Sequence, residues 1–176
     1  MTSFAIARAT SGGKTVSPSS PNPVKDTVSA EELKRLRAFS RSLPMALLKA
    51  REDVMAGFRP NLRAHELTEQ QWRALKALAQ TGEMRAGQLA RASLISMPSL
   101  TRILRALEER GLILRRPEQR DQRAALLSLT EAGQALVVAV SQGAEERYDQ
   151  IIAAFGRDRL EHLHHLLEAL SESLPR

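Results

Sequence analysis

Between Leu112 and Thr130 the chain reads LILRRPEQRDQRAALLSLT, with apolar residues at alternate positions, whereas on either side they recur every three or four. This change of period constrains the fold more than any other feature. A period of two marks a strand and one of 3.6 a helix, so a short hairpin is expected to interrupt a helical protein. Leu112 and Leu114 alternate on the outgoing arm, and Ala125, Leu127 and Leu129 on the return arm, with Pro117 and the polar run after it as the turn. A two-stranded hairpin is marginal alone in water, so this one has to lean on the helices before it.

Those helices are marked by their ends. Ser29-Ala30-Glu31-Glu32 is a capping box that opens a short helix, while residues 1–28, rich in Ser, Thr, Pro and Gly, form a disordered basic tail. From Ser42 a longer helix carries Leu43, Leu47, Ala50, Val54, Phe58 and Leu62 in one stripe, and Pro60 is expected to kink or end it. Thr68 to Gln71 is a second capping box, opening a helix with Trp72, Leu75, Leu78 and Ala79 inward and Gly82 as its stop. A short helix over Ala86 to Ala92 and a tight connection follow. The next helix, with Pro98 in its first turn, buries Leu100, Ile103, Leu104 and Leu107 and stops at Gly111. After Thr130 comes a helix of about 25 residues, broken at Gly156, and then the seam Leu160, Leu163, Leu167, Leu170 and Leu174, spaced as in a coiled coil. That seam calls for a partner helix.

Charge divides the chain along the same lines. Residues 85–123 hold nine Arg and no Lys against four acids, a net +5, whereas residues 131–176 carry a net −4. One part therefore suits a polyanion and the other a protein partner. A short helix joined by a tight turn to a longer one is the order of a helix-turn-helix, whose second helix enters the DNA major groove. On that helix Ser99, Arg102 and Arg105 are left on the outer face, short or cationic as close approach to base edges requires. A hairpin directly after it projects the turn from Arg116 to Arg123 beside the DNA, as the wing of a winged helix does. The fold expected is mainly α with a small β-hairpin wing, a winged helix-turn-helix flanked by dimerisation helices. Residues 29–66 and 131–174 supply those helices and residues 67–130 the DNA-binding domain.

Other chemistries find little support. There is no cysteine, which excludes disulfides and thiolate chemistry within the chain. No stretch approaches the ~18 apolar residues of a membrane span, and a soluble cytoplasmic protein without a cofactor is expected. Glu161, His162, His164 and His165 invite a metal reading, but no fourth ligand is evident and a polar helix face accounts for them, so no metal is expected. No nucleophile, base and oxyanion donors fall into an arrangement that would make an enzyme. A ligand carboxylate needs a cationic fork and a ring needs an apolar wall; Arg51, Arg59, Arg63, His65, Trp72 and Arg73 could supply both, with Arg51 the first choice.

TEQQWRALKALA, then GQLARASLISMPSLTRILRALEERGLILRR, then RDQRAALLSLTEAGQAL resemble the MarR family of bacterial transcriptional regulators across about residues 42–174. The most specific element is Asp121-Gln122-Arg123 followed by the run Leu129-Thr130-Glu131-Ala132-Gly133. The resemblance implies a homodimer on double-stranded DNA, joined through its first and last two helices. It also implies that Arg123 is the wing-tip arginine, that Asp121 orients a neighbouring arginine, and that Ser96, Pro98, Ser99, Thr101 and Arg102 begin the recognition helix. Arg115, Arg116 and Arg120 are then phosphate partners. Within the family, MALLKAREDVMAGFRPNLRAHELTEQQWR is similar to the branch regulating breakdown of homoprotocatechuate and related aromatic acids, close to regulators of nicotinate catabolism. That implies a repressor released from its operator by a small aromatic acid of the hydroxyphenylacetate, homoprotocatechuate or hydroxynicotinate class. The alternative is a dimeric architectural DNA-binding protein without ligand control.

Overall fold

The computed structural model describes residues 42–117 and 125–175. The tail over residues 1–28, the helix expected to open at Ser29, and the turn carrying Arg120, Asp121 and Arg123 lie outside the described residues.

From Leu43 onward the order is α1 (Leu43–Ala64), α2 (Glu69–Thr81), β1 (Glu83–Arg85), α3 (Ala86–Ser93), α4 (Met97–Glu109), β2 (Ile113–Pro117), β3 (Ala125–Leu129), α5 (Glu131–Phe155) and α6 (Arg157–Ser173). The punctuation read from the sequence sets most of these ends. Thr68 Oγ1 accepts from the Gln71 amide while the Gln71 side chain accepts from the Thr68 amide, closing the capping box at the start of α2. Gly82, at φ 82°, ends that helix by donating its N–H to the Leu78 carbonyl. Gly156, at φ 93°, separates α5 from α6.

The core sits where α2 to α5 meet the sheet. Leu75, Leu78, Leu89, Leu100, Leu104, Leu107, Leu127 and Val140 are all fully buried, and Leu62 of α1 joins the same core. All four apolar residues expected on the inner face of α4 are buried. On α2 the inner face is centred on Ala74, Leu75 and Leu78, and Ala79 is exposed on its flank.

Three local readings are corrected. Pro60 does not end α1, which runs on to Ala64; burial of Leu62 and a 2.8 Å hydrogen bond from Asn61 Nδ2 to the Val140 carbonyl hold the last turns in place. On the outgoing arm Leu112 and Ile113 are buried and Leu114 is exposed. Leu112 still belongs to the helix stop, its N–H donating to the Leu107 carbonyl, so the strand begins one residue later, at Ile113, and only Ile113 of this arm turns inward. The hairpin is also not two-stranded. β1 pairs with β3, giving an antiparallel sheet of order β1-β3-β2 with β3 in the middle, so the hairpin's return arm is flanked on both sides.

The base of the hairpin is fastened to α5 by the Leu-Thr-x-x-Gly run. Thr130 Oγ1 accepts from the Gly133 amide at 2.9 Å and donates to the Gly111 carbonyl at 2.7 Å, so one hydroxyl caps α5 and closes the end of the strand pair. A Cβ at position 133 would lie 2.0 Å from the Leu112 carbonyl oxygen, which is why glycine stands there. Among the described residues no helix is long and apolar enough to cross a membrane.

Candidate nucleic-acid interface and ligand cavity

α4 presents its polar face outward because its apolar one is spent on the core. Ser96 stands at the N-cap in extended conformation without capping through its side chain, so it does not satisfy the first-turn amides. Ser96 Oγ donates to Ser99 Oγ at 3.1 Å, and Thr101 Oγ1 returns to the Met97 carbonyl at 3.0 Å, keeping this end of the helix slim. Pro98 lies in the first turn, where its missing N–H costs nothing. Arg102 is exposed and has no ion-pair partner among the described residues.

The other described arginines of α4 and β2 are engaged within the chain. Arg105 pairs with Glu109 at 2.9 Å, one turn on. Arg115 forks onto Glu108 at 2.8 and 3.4 Å, and Arg116 reaches across the central strand to Glu83. Arg110 points the other way: it donates to the Glu66 and His65 carbonyls and pins the end of α4 to the turn between α1 and α2.

Behind α2, on the side away from α4, a cavity of about 350 Å³ opens between α1, α2 and α5. Its apolar wall includes Phe58, Trp72 and Tyr148; the Phe58 and Tyr148 rings meet edge to face at 5.4 Å. Of the six residues expected to surround a ligand, Arg51, Trp72 and Arg73 line the cavity and Arg59, Arg63 and His65 do not. Arg59 is turned to Glu52 and Glu69, Arg63 falls on the exposed adjoining face of α1, and His65 lies beyond the helix end.

The polar equipment differs from the sequence reading in another way. Arg51 is not an open cation, being paired with Glu52 at 2.6 Å and with Glu69. Burial by itself would raise the Glu69 carboxyl, but hydrogen bonds from Arg59 and Arg51 outweigh it and hold the group below its ordinary value. The same contacts, to Glu52 first and Glu69 second, raise the Arg59 guanidinium. The cations without a carboxylate partner are Arg73, whose buried Nε has no hydrogen-bond partner among the described residues, and Lys76, whose Nζ lies 3.3 Å from Ser141 Oγ and 5.7 Å from the Trp72 ring centre. Glu69 and Lys76 were missed from the sequence. Their signal was nevertheless there: Glu69, Trp72, Arg73 and Lys76 follow helical spacing and mark one face of α2.

On α6, His165 Nδ1 lies 3.9 Å from Glu168, and among the described residues no group of three or more His, Cys, Asp or Glu is arranged to hold a metal.

Comparison with known proteins places these features. The MarR family model matches residues 67–125. The homoprotocatechuate degradative operon repressor of Escherichia coli is 46% identical over 127 residues, covering 72% of this chain and 86% of that protein. The crystal structure of transcriptional regulator PA4135 is similar with a TM-score of 0.73 at 43% identity, over 76% of this chain and 98% of that one. NadR in complex with 4-hydroxyphenylacetate is similar with a TM-score of 0.69 at 37% identity, over 79% and 99%. The repressor CouR bound to a 23-mer DNA duplex is similar with a TM-score of 0.70 at 27% identity, over 77% and 98%.

Proposed function

The chain belongs to the MarR family and is a transcriptional repressor of that type, and from this premise we propose that it works as a homodimer on a palindromic operator, released by a hydroxylated aromatic carboxylate. The observation that carries the effector reading is the stripe on α2. Glu69 and Lys76 stand seven residues apart, about 10.5 Å along a helix, with Trp72 between them and both facing the same cavity. An aryl acid with its hydroxyl at one end and its carboxylate at the other matches that span. Its carboxylate meets Lys76, its ring lies on Trp72, and its hydroxyl donates to the ionised Glu69. The likeness to NadR, whose structure holds 4-hydroxyphenylacetate, supports this ligand class.

The DNA-binding surface in this reading is α4, through Ser96, Pro98, Ser99, Thr101, Arg102 and Arg105, with Arg115 and Arg116 of β2 and the wing residues Arg120, Asp121 and Arg123 beside it. Support comes from the outward polar face of α4 and the likeness to DNA-bound CouR. Two copies set their recognition helices about 34–36 Å apart, one turn of DNA. In this reading residues 29–66 and 131–174 serve as the dimerisation part and residues 67–130 as the DNA-binding part.

A thermal-shift series tests the effector reading. 4-Hydroxyphenylacetate, homoprotocatechuate and 6-hydroxynicotinate are compared with phenylacetate, which lacks the hydroxyl. A compound at 100 times its Kd stabilises by ~2.7 kcal/mol. Lys76→Met is expected to weaken the hydroxylated acids by about tenfold or more, the loss of one charge-assisted hydrogen bond. No stabilisation by any of them, or equal stabilisation in Lys76→Met, counts against the assignment.

A further inference from the structure

Arg51, Glu52, Arg59 and Glu69 form a closed cycle in which each guanidinium meets both carboxylates. Arg51 reaches Glu52 at 2.6 Å and Arg59 Nε reaches Glu69 at 2.7 Å, and the contacts Arg51 to Glu69 and Arg59 to Glu52 complete the ring. Each side chain is fixed twice, so the ordering of one bridge serves the next, unlike an isolated surface pair. Three members belong to α1. Glu69 alone belongs to α2, in its first turn.

That turn has two faces. Glu69 lines the ligand cavity, while Thr68, Gln70 and Gln71 line a separate cleft together with Ser99 and Arg102 of α4. A single turn of helix therefore lies between the cavity and the outer residues of the recognition helix. The far end of α4 is fixed to the same region through Arg110 and the Glu66 carbonyl, so motion of the α2 start bears on α4 at both ends.

We propose that the four-charge cycle is the element that couples effector to DNA, with Arg59 and Glu52 as positioning residues that set where Glu69 sits. In the free protein the cycle holds the first turn of α2 against α1. A hydroxyl donating to Glu69 competes for the oxygens that Arg51 and Arg59 occupy, loosens the carboxylate from the ring, and shifts that turn beneath α4. The effector acts only as far as it binds the loosened arrangement better than the closed one. This rests on the effector reading given above.

The test uses the full chain, a duplex that the wild-type protein selects from a random library, and 4-hydroxyphenylacetate as probe. Duplex affinity is measured with and without probe, and probe affinity with and without duplex. In the wild type the two factors must agree, at about 5- to 150-fold. Arg59→Gln and Glu52→Gln populate the loosened arrangement without probe, so each is expected to bind duplex alone more weakly and probe alone more tightly than wild type, while the coupling factor falls towards one in both directions. Arg59→Lys, which keeps one carboxylate contact, recovers part of it. Wild-type coupling in both Gln variants overturns the proposal and leaves the cavity reading standing. Loss of probe binding in both also overturns it, because the two residues would then be part of the binding site. No probe binding by the wild type overturns the cavity reading and this proposal together.

Discussion

Gly133 shows how much one missing methyl group decides. Its Cα lies so close to the Leu112 backbone that any side chain must push the first turn of α5 off the strand pair. Gly133→Ala is expected to lower stability by about 1–3 kcal/mol, the usual range for overpacking, as read by urea denaturation. Unchanged stability would mean the two backbones are not in contact. Glu69 makes a prediction of a different kind. Its folded carboxyl lies below the ordinary 4.5, so the stability it contributes is complete above that value and is lost as pH falls through the folded value. The melting-temperature difference between wild type and Glu69→Gln should be flat near neutral pH and shrink below about pH 4.5. A difference that grows on acidification would contradict the assigned ion pairs. Residue types and helical spacing were legible here, but partners were not. Arg51 looked like an open cation because, of the two carboxylates that occupy it, Glu52 is its immediate neighbour, a spacing that does not face on a helix, and Glu69 stands 18 positions away on another helix.

At the scale of elements, α4 and β2 carry opposite arrangements of the same side chain. Arg102 has no ion-pair partner among the described residues, whereas Arg105, Arg115 and Arg116 each hold a carboxylate of the chain. A phosphate has to displace that carboxylate before it can be gripped. Glu108→Gln therefore frees Arg115, and random-sequence duplex should bind more tightly, with a salt slope steeper by up to about 0.9. An unchanged slope in fluorescence anisotropy would show that Arg115 does not approach phosphate. Most helix ends from α2 onward were readable because capping boxes and glycines act over four or five residues, whereas Pro60 misplaced the end of α1. β1 was not: Glu-Met-Arg is too short to show a period, and it is a strand only because the free edge of β3 passes beside it. The register of the outgoing arm escaped for a related reason, since the helix stop claims Leu112 before the strand begins.

Over the whole molecule, the apolar surface is unevenly covered. The core closes around α2 to α5, yet α6 has no buried residue, and Leu163, Leu166, Leu167 and Leu174 stand exposed, as do Leu43, Leu47, Leu48 and Val54 of α1. A second copy of the chain is the cover proposed above. Leu163→Glu with Leu167→Glu should yield monomers in sedimentation and lose the avidity of two linked half-sites, about 10²-fold or more in operator affinity. A double variant that remains dimeric would place the interface elsewhere. By itself the sequence determined the helices from α1 onward, the strand pair after α4, the concentration of arginines between residues 85 and 123 and the leucine spacing of α6, because caps, periods and charge are local and need no partner to be expressed. Only the tertiary structure decided which cations are already neutralised, that a third strand completes the sheet, and that Glu69 and Lys76 share a cavity with Phe58 and Tyr148. Those facts depend on residues far apart in the chain being brought together, and no local signal encodes how three helices pack around a shared space.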